Sequence, residues 1–168
     1  TVPVITLTGA DVSQEVGGSY SDAGATASDN IDGTITDNIV IAGQTVDPDT
    51  VGAYIITYNV SDAAGNNAVE VTRTVTITAD VTVPVITLTG ADVSQEVGGS
   101  YSDAGATASD NIDGTITDNI VIAGQTVDPD TVGAYIITYN VSDAAGNNAV
   151  EVTRTVTITA DVTVPVIT

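Results

Sequence analysis

From Gly52 the chain alternates. Tyr54, Ile56, Tyr58 and Val60 take every second position, with Ile55, Thr57, Asn59 and Ser61 between them. A period of two is that of a strand with one face toward a core, and it predicts a half-buried strand with its aromatic side inward. The same period returns further on, with Val69, Val71, Val75 and Ile77 on one face and Glu70, Thr72, Thr74, Thr76 and Thr78 on the other. Arg73 falls on the apolar side, so it must snorkel to an edge or meet a carboxylate, because an unpaired buried cation is costly. Upstream, shorter β-branched runs predict strands over Val2–Thr8, Val12–Val16, Thr34–Thr36 and Ile39–Ala42. Tyr20–Ser28 is the weakest strand, being rich in small residues. Glycine and acidic turns separate the runs, and no segment carries a helical period. About seven short strands predict an all-β sandwich, cored by Val, Ile, Leu and three Tyr per copy. Gly52-Ala53-Tyr54 suits a tyrosine corner, or a Tyr simply packed at the rim.

The pattern then repeats. Thr1–Val81 recurs without substitution as Thr82–Val162, and residues 163–168 begin a third copy. A period of 81 is long for a solenoid unit and suits a small domain with its own core. The chain is therefore read as two β-sandwich domains, 1–81 and 82–162, followed by the first strand of another, cut from a longer array.

Charge narrows the possible partners. Twenty-two acids face two Arg, with no His, for a net charge of −20. Nucleic acid needs a basic footprint that this chain lacks, and anionic membrane surfaces repel it. No apolar run is long enough to span a bilayer, and no signal segment opens the chain. With no Cys there is no disulfide framework. With no His, Cys or Lys, only carboxylates remain for catalysis, and the chain is expected not to be an enzyme. The absence of Lys also excludes a Lys-to-Asn isopeptide cross-link.

The densest carboxylate loop is Asp29-Asn30-Ile31-Asp32-Gly33, repeated as Asp110-Asn111-Ile112-Asp113-Gly114. Oxygen donors in this number suit a hard cation such as Ca²⁺. The same residues also make an ordinary turn. Both readings stand on the sequence.

Several stretches together resemble a known family. They are Val83-Pro84-Val85-Ile86-Thr87-Leu88, the run from Ala106 to Gly114, Val132-Gly133-Ala134-Tyr135, and the run from Tyr139 to Asn147. They are similar to the bacterial immunoglobulin-like domains of pesticidal crystal proteins and, more loosely, to the hyalin-repeat type. The resemblance covers the whole repeat and implies tandem extender modules of secreted or surface proteins, including bacterial adhesins.

In an immunoglobulin-like sandwich the loops after the strands lettered B and F, here the stretches Asp110–Gly114 and Asp143–Asn147, share one end with the incoming chain. That topology would gather Asp80, Asp110, Asp113 and Asp143, with Asn111 and Asn147 beside them, into a Ca²⁺ site at the domain junction. Asp29, Asp32, Asp62 and Asn66 form the incomplete first-copy counterpart, since no Asp precedes them. Asp161 likewise lacks a following domain, and Asp47 and Asp49 belong to the opposite end.

The expected function is a non-catalytic extender of an exported bacterial surface protein or adhesin, stiffened by Ca²⁺ at its junctions. Its partners are neighbouring identical repeats, its place is extracellular or at the cell surface, and its external ligand is not legible. The alternative is an adhesive module that binds glycan, ice or host protein through its loops or through the Thr72–Thr78 face.

Overall fold

The structure, a computed structural model, describes residues 1–166. In the first repeat the β-branched runs form β1 (Val4–Leu7), β2 (Val12–Glu15), β3 (Ala25–Asp29), β4 (Gly33–Thr34), β5 (Val40–Gly43), β6 (Gly52–Asn59) and β7 (Val71–Thr78). The second repeat gives β8 (Val85–Leu88), β9 (Val93–Glu96), β10 (Ala106–Asp110), β11 (Gly114–Thr115), β12 (Val121–Gly124), β13 (Gly133–Asn140) and β14 (Val152–Thr159). The chain parts into two compact units after Asp80. Each unit is a sandwich of two sheets. In the first these run β1-β3-β4 and β2-β7-β6-β5, and the second repeats the order with β8-β10-β11 and β9-β14-β13-β12. All pairs are antiparallel except β2 with β7 and β9 with β14. This is the immunoglobulin-like arrangement: an all-β unit of seven strands in two layers.

The core lies between the sheets. Ile5, Ala27, Ile35, Ile56, Tyr58, Val60, Val75 and Ile77 are buried in the first unit. Their alternation along β6 and β7 is the one legible in the sequence. Of the three Tyr in each copy only Tyr58 lies fully in the core, while Tyr20 and Tyr54 are half-buried at its rim. Tyr54 does form a tyrosine corner: its hydroxyl donates to the Thr50 carbonyl at 2.9 Å, four residues upstream.

Several boundaries differ from expectation. Val69 is not inward but 80% exposed, because an isolated bridge between Ser61 and Asn67 closes the turn and the last strand starts only at Val71. Thr34–Thr36 is not a continuous strand. At Ile35 the backbone leaves the sheet (φ −124°, ψ 27°) and a 3-10 turn follows over Thr36–Asn38. That break drops Ile35 into the core and lets the Thr36 hydroxyl accept from the Ala27 amide at 3.0 Å. The first strand is shorter than Val2–Thr8, and Tyr20–Gly24 forms an irregular link ahead of β3. On the Thr72–Thr78 face Thr72 is exposed, while Thr74, Thr76 and Thr78 are half-buried. Thr163–Val166, the expected start of a third copy, carries no strand, and Ile167 and Thr168 lie outside the described residues.

Arg73 meets a carboxylate and does not snorkel. It is 1% exposed, among the largest fully buried side chains, and forms an ion pair with Asp22. Its Nη2 donates to the carbonyls of Thr8 (2.6 Å) and Gly24 (3.1 Å). The Tyr58 hydroxyl donates to both Asp22 oxygens, at 2.7 and 2.8 Å, and Tyr20 adds a third donor at 3.2 Å. The guanidinium carbon sits 5.8 Å from the Tyr58 ring centre, within cation–π range. Burial alone would raise the Asp22 carboxyl. The Tyr58 hydroxyl, the Gly24 amide and Arg73 outweigh it and hold the group below the usual carboxylate value. Burial and Asp22 push the Tyr58 hydroxyl upward, so it stays a donor.

Two outcomes follow from this cluster. Arg73→Ala strands the Asp22 carboxylate and is expected to destabilise the first unit by about 3–5 kcal/mol in chemical denaturation. An Asp with a depressed folded value contributes stability that is complete above its unfolded value and is lost as pH falls through the folded one. The stability difference between the protein and its D22N/D103N variant should therefore be full above about pH 4 and close below it. A gap that stays constant into strong acid would contradict this.

Candidate functional site

The acidic end of each unit is built from two turns. In the first unit β3 ends at Asp29, which is buried, and the chain reverses through Asn30–Asp32 to Gly33, whose φ of +71° favours glycine. Asp29 Oδ1 accepts from the Ile31 amide at 2.8 Å and from the Asp32 amide at 3.4 Å, while Oδ2 accepts from the Thr1 hydroxyl at 2.9 Å. Thr1 also bonds Asn30 Oδ1. Beyond β6, Asp62 closes the second turn. Its Oδ1 accepts from the Asn66 amide and its Oδ2 from the Asn66 side chain, both at 2.7 Å.

One bond stitches the turns together: Asp32 Oδ2 accepts from the Ala63 amide at 3.0 Å. As a result Asp29, Asp32 and Asp62 each offer a carboxylate oxygen within 4.8 Å of the others. They border a hollow of about 330 Å³ shared with Thr1 and Asn66. So the two loops and the incoming chain do meet at one end of this unit.

The electrostatics favour ionised groups. The Ile31 amide, ahead of an opposing burial effect, and the Thr1 hydroxyl hold the Asp29 carboxyl below its usual value. The Asn66 side chain and amide do the same for Asp62, against repulsion from Asp29. Each carboxylate therefore caps its own turn, as Asp does without any metal. Carboxylates packed this closely repel one another when charged, as Asp29 and Asp62 do, which a cation would relieve.

The second unit repeats the turns with one difference. Asp110 Oδ1 accepts from the amides of Ile112 (2.8 Å) and Asp113 (3.1 Å), and Asp113 Oδ2 accepts from Ala144 at 2.7 Å. Asp143 receives the Asn147 amide at 2.7 Å and its side chain at 2.9 Å. Burial would raise the Asp143 carboxyl, and the Asn147 donors outweigh it, leaving the value lowered. Asp110 Oδ2, by contrast, is buried and has no hydrogen-bond partner among the described residues. A buried carboxylate oxygen without a donor is an unmet acceptor, and hard cations bind such atoms. Asn111 stands in the turn between Asp110 and Asp113, and Asp80 closes the first unit after β7.

Asp47 and Asp49 lie in a separate turn, where Asp47 caps Asp49 and Thr50 at 3.0 and 2.8 Å. Sequence reasoning missed Asp22 and its copy Asp103. The signal available was Arg73 in an inward register, which demanded a carboxylate without saying which one. It also missed a groove of about 440 Å³ beside β5, bordered by Tyr20, Asp22, Ile41, Gln44, Val46 and Ile56, with a counterpart of about 430 Å³ in the second unit.

The carboxylates predict a local effect. Asp29→Ala removes the acceptor for the Ile31 amide, so hydrogen exchange at Ile31 should quicken about tenfold or more while core amides of β6 and β7 keep their protection.

A family model described as "Bacterial surface protein, Ig-like domain" matches residues 5–77 and 86–158. It carries the bacterial immunoglobulin-like part of the resemblance and not the narrower pesticidal-crystal-protein or hyalin-repeat types. No curated protein matches the sequence. Among solved structures, the chain is similar to the Clostridium perfringens ZmpB structure holding the M60 catalytic domain with the CBM51-1 and CBM51-2 domains. Identity is 12% and the TM-score 0.59, over 95% of this chain and 31% of that one. This chain thus spans about a third of that structure's length, and the likeness is one of fold. It also matches the lipoprotein BT2262 from Bacteroides thetaiotaomicron at 15% identity and a TM-score of 0.41, over 87% of this chain and 96% of that one. No helix among the described residues is long and apolar enough to cross a membrane.

Proposed function

Since the chain belongs to the family of bacterial surface protein Ig-like domains, we propose that it is a non-catalytic extender that spaces and presents another part of an exported surface protein or adhesin. The observation that carries this reading is repetition without variation: two units of one sequence and one strand order. A ligand-binding protein gains from one well-made site, whereas a spacer gains length from each added copy. With strands near 3.3 Å per residue plus loops, each copy adds on the order of 30–40 Å. The narrower likeness to pesticidal-crystal-protein and hyalin-repeat domains rests on the sequence motifs and points the same way.

Calcium belongs to the same proposal. Ca²⁺ is held by Asp110, Asp113 and Asp143, with Asn111 and Asn147 beside them and Asp80 from the chain leading into the unit. Asp29, Asp32, Asp62 and Asn66 make a weaker first-copy site. The residues fit the ion: every donor is an oxygen, and the unpartnered Asp110 Oδ2 is an acceptor waiting for charge. The ion's part is structural, stiffening the passage from one copy to the next.

One observation favours the adhesive alternative, namely the groove beside β5 in both copies, which lies within the size range of ligand pockets. Saturable binding of the two-repeat chain to a glycan or host protein would bring that reading forward.

The calcium proposal has a direct test. At free Ca²⁺ a hundredfold above Kd, binding adds about 2.7 kcal/mol, so calorimetry should show a raised melting temperature that chelator reverses. Small-angle scattering should show a stiffer, more extended chain, and Asp110→Ala should remove most of both effects. Identical melting and scattering with Ca²⁺ and with chelator would sink the calcium part and leave the extender reading to stand on length alone.

A further inference from the structure

In each repeat one side chain ties together stretches that lie far apart in sequence. Arg73, within β7, reaches the Thr8 carbonyl just beyond β1, the Gly24 carbonyl just ahead of β3, and Asp22 in the link between β2 and β3. Tyr58 grips the same carboxylate from β6. Arg154 repeats the pattern with Thr89 (2.6 Å), Gly105 (3.1 Å) and Asp103. Beside this cluster β2 runs parallel to β7, with Val12 opposite Val75 and Glu15 opposite Thr78. The Thr74 amide donates to Asp11 at 2.9 Å, and the Thr78 hydroxyl donates to the Gln14 carbonyl at 3.2 Å.

Direction matters when such a unit is pulled. The chain enters each repeat ahead of the first strand and leaves it after the seventh. Tension along the array therefore draws β1 and β2 by their N-terminal ends and β7 by its C-terminal end. Between parallel neighbours these pulls oppose each other along the strand axis, so the ladder bonds share the load instead of opening one by one. The guanidinium, itself 1% exposed, ties β7 to the chain on either side of β2, at Thr8, Asp22 and Gly24, through charge-assisted hydrogen bonds that are strong where water is largely excluded.

We infer that the Arg73–Asp22–Tyr58 cluster, with its Arg154–Asp103–Tyr139 counterpart, is a mechanical latch that resists end-to-end extension of each repeat. This rests on the extender reading only in supposing that the chain is pulled in use. The resistance itself is a property of a single repeat.

The test pulls the two-repeat chain by its ends in a single-molecule force experiment with only the second copy altered, so that the first serves as internal reference. Arg154→Lys keeps the charge but cannot reach three acceptors with one planar fork. D103L/R154M replaces the pair by apolar volume, a change that often leaves equilibrium stability intact. In both variants one unfolding event should keep its force, and the other should occur at lower force. The corresponding unfolding rate under load should rise roughly tenfold or more, with the melting temperature of D103L/R154M little changed.

Two events at unchanged force in the Arg154→Lys chain overturn the latch. So does an equal weakening when the second unit is pulled through cysteines placed at Asp128 and Asn148, because a loss independent of direction is general instability. A latch that weakens as expected in a chain whose solution scattering shows no extended form upholds this inference and rejects the extender reading.

Discussion

A guanidinium shut away from water must be met by a carboxylate, and this chain has one cation per repeat with which to satisfy that rule. Twenty-two acids surround two Arg, yet both Arg are buried and neither neutralises the surface. Their work is internal. Arg73 gathers the irregular Tyr20–Gly24 link against β7, reaches across to Thr8 and Gly24 beside β1 and β3 of the other sheet, and shares Asp22 with Tyr58 of its own sheet. A buried ion pair is a weak source of net stability, since desolvation consumes most of the attraction. It is a strong source of specificity here. A one-residue slip of β7 would turn Arg73 outward and Thr72 or Thr74 inward, so only one register satisfies the pair.

Much of the fold was legible because the longest strands carry the plainest alternation. Tyr58, Val75 and Ile77 sit where a period of two puts them, and Arg73 was marked as needing an anion. The identity of that anion was hidden. Asp22 lies in a stretch of Ser, Asp, Ala and Gly with no period, and its role depends on a chain crossing that only the folded topology creates. Ile35 was misread for a related reason. Its β-branched neighbours suggest a continuous strand, whereas tertiary packing draws the side chain inward and breaks the pairing.

The candidate site divides in the same way. Acid, amide and glycine spacing marked both turns, and a general rule of sandwich topology brought them to one end, as the bond from the Ala63 amide to Asp32 shows. What spacing cannot reveal is how each oxygen is spent. Asp29 Oδ2 takes the Thr1 hydroxyl, while Asp110 Oδ2, in the same sequence context, has no partner among the described residues. Two copies of one sequence thus present different acceptors, a difference set by surroundings and not by residue type.

The edge strand β5 has a consequence for any protein made of identical copies. Neighbours with the same sequence are the partners most able to exchange strands or to align edge to edge while folding. At Gly43 the backbone turns to a φ of +95°, and an added Cβ would come within 2.3 Å of the Ile55 carbonyl oxygen. Directly after it the Gln44 side chain accepts from the Ile55 amide at 2.9 Å, taking the place that another strand residue would fill. The ladder therefore stops after four residues, and the uncharged Val40–Gly43 edge is too short a template to recruit its twin. A kink in one strand thus keeps each copy's free edge short, which disfavours pairing between identical sequences.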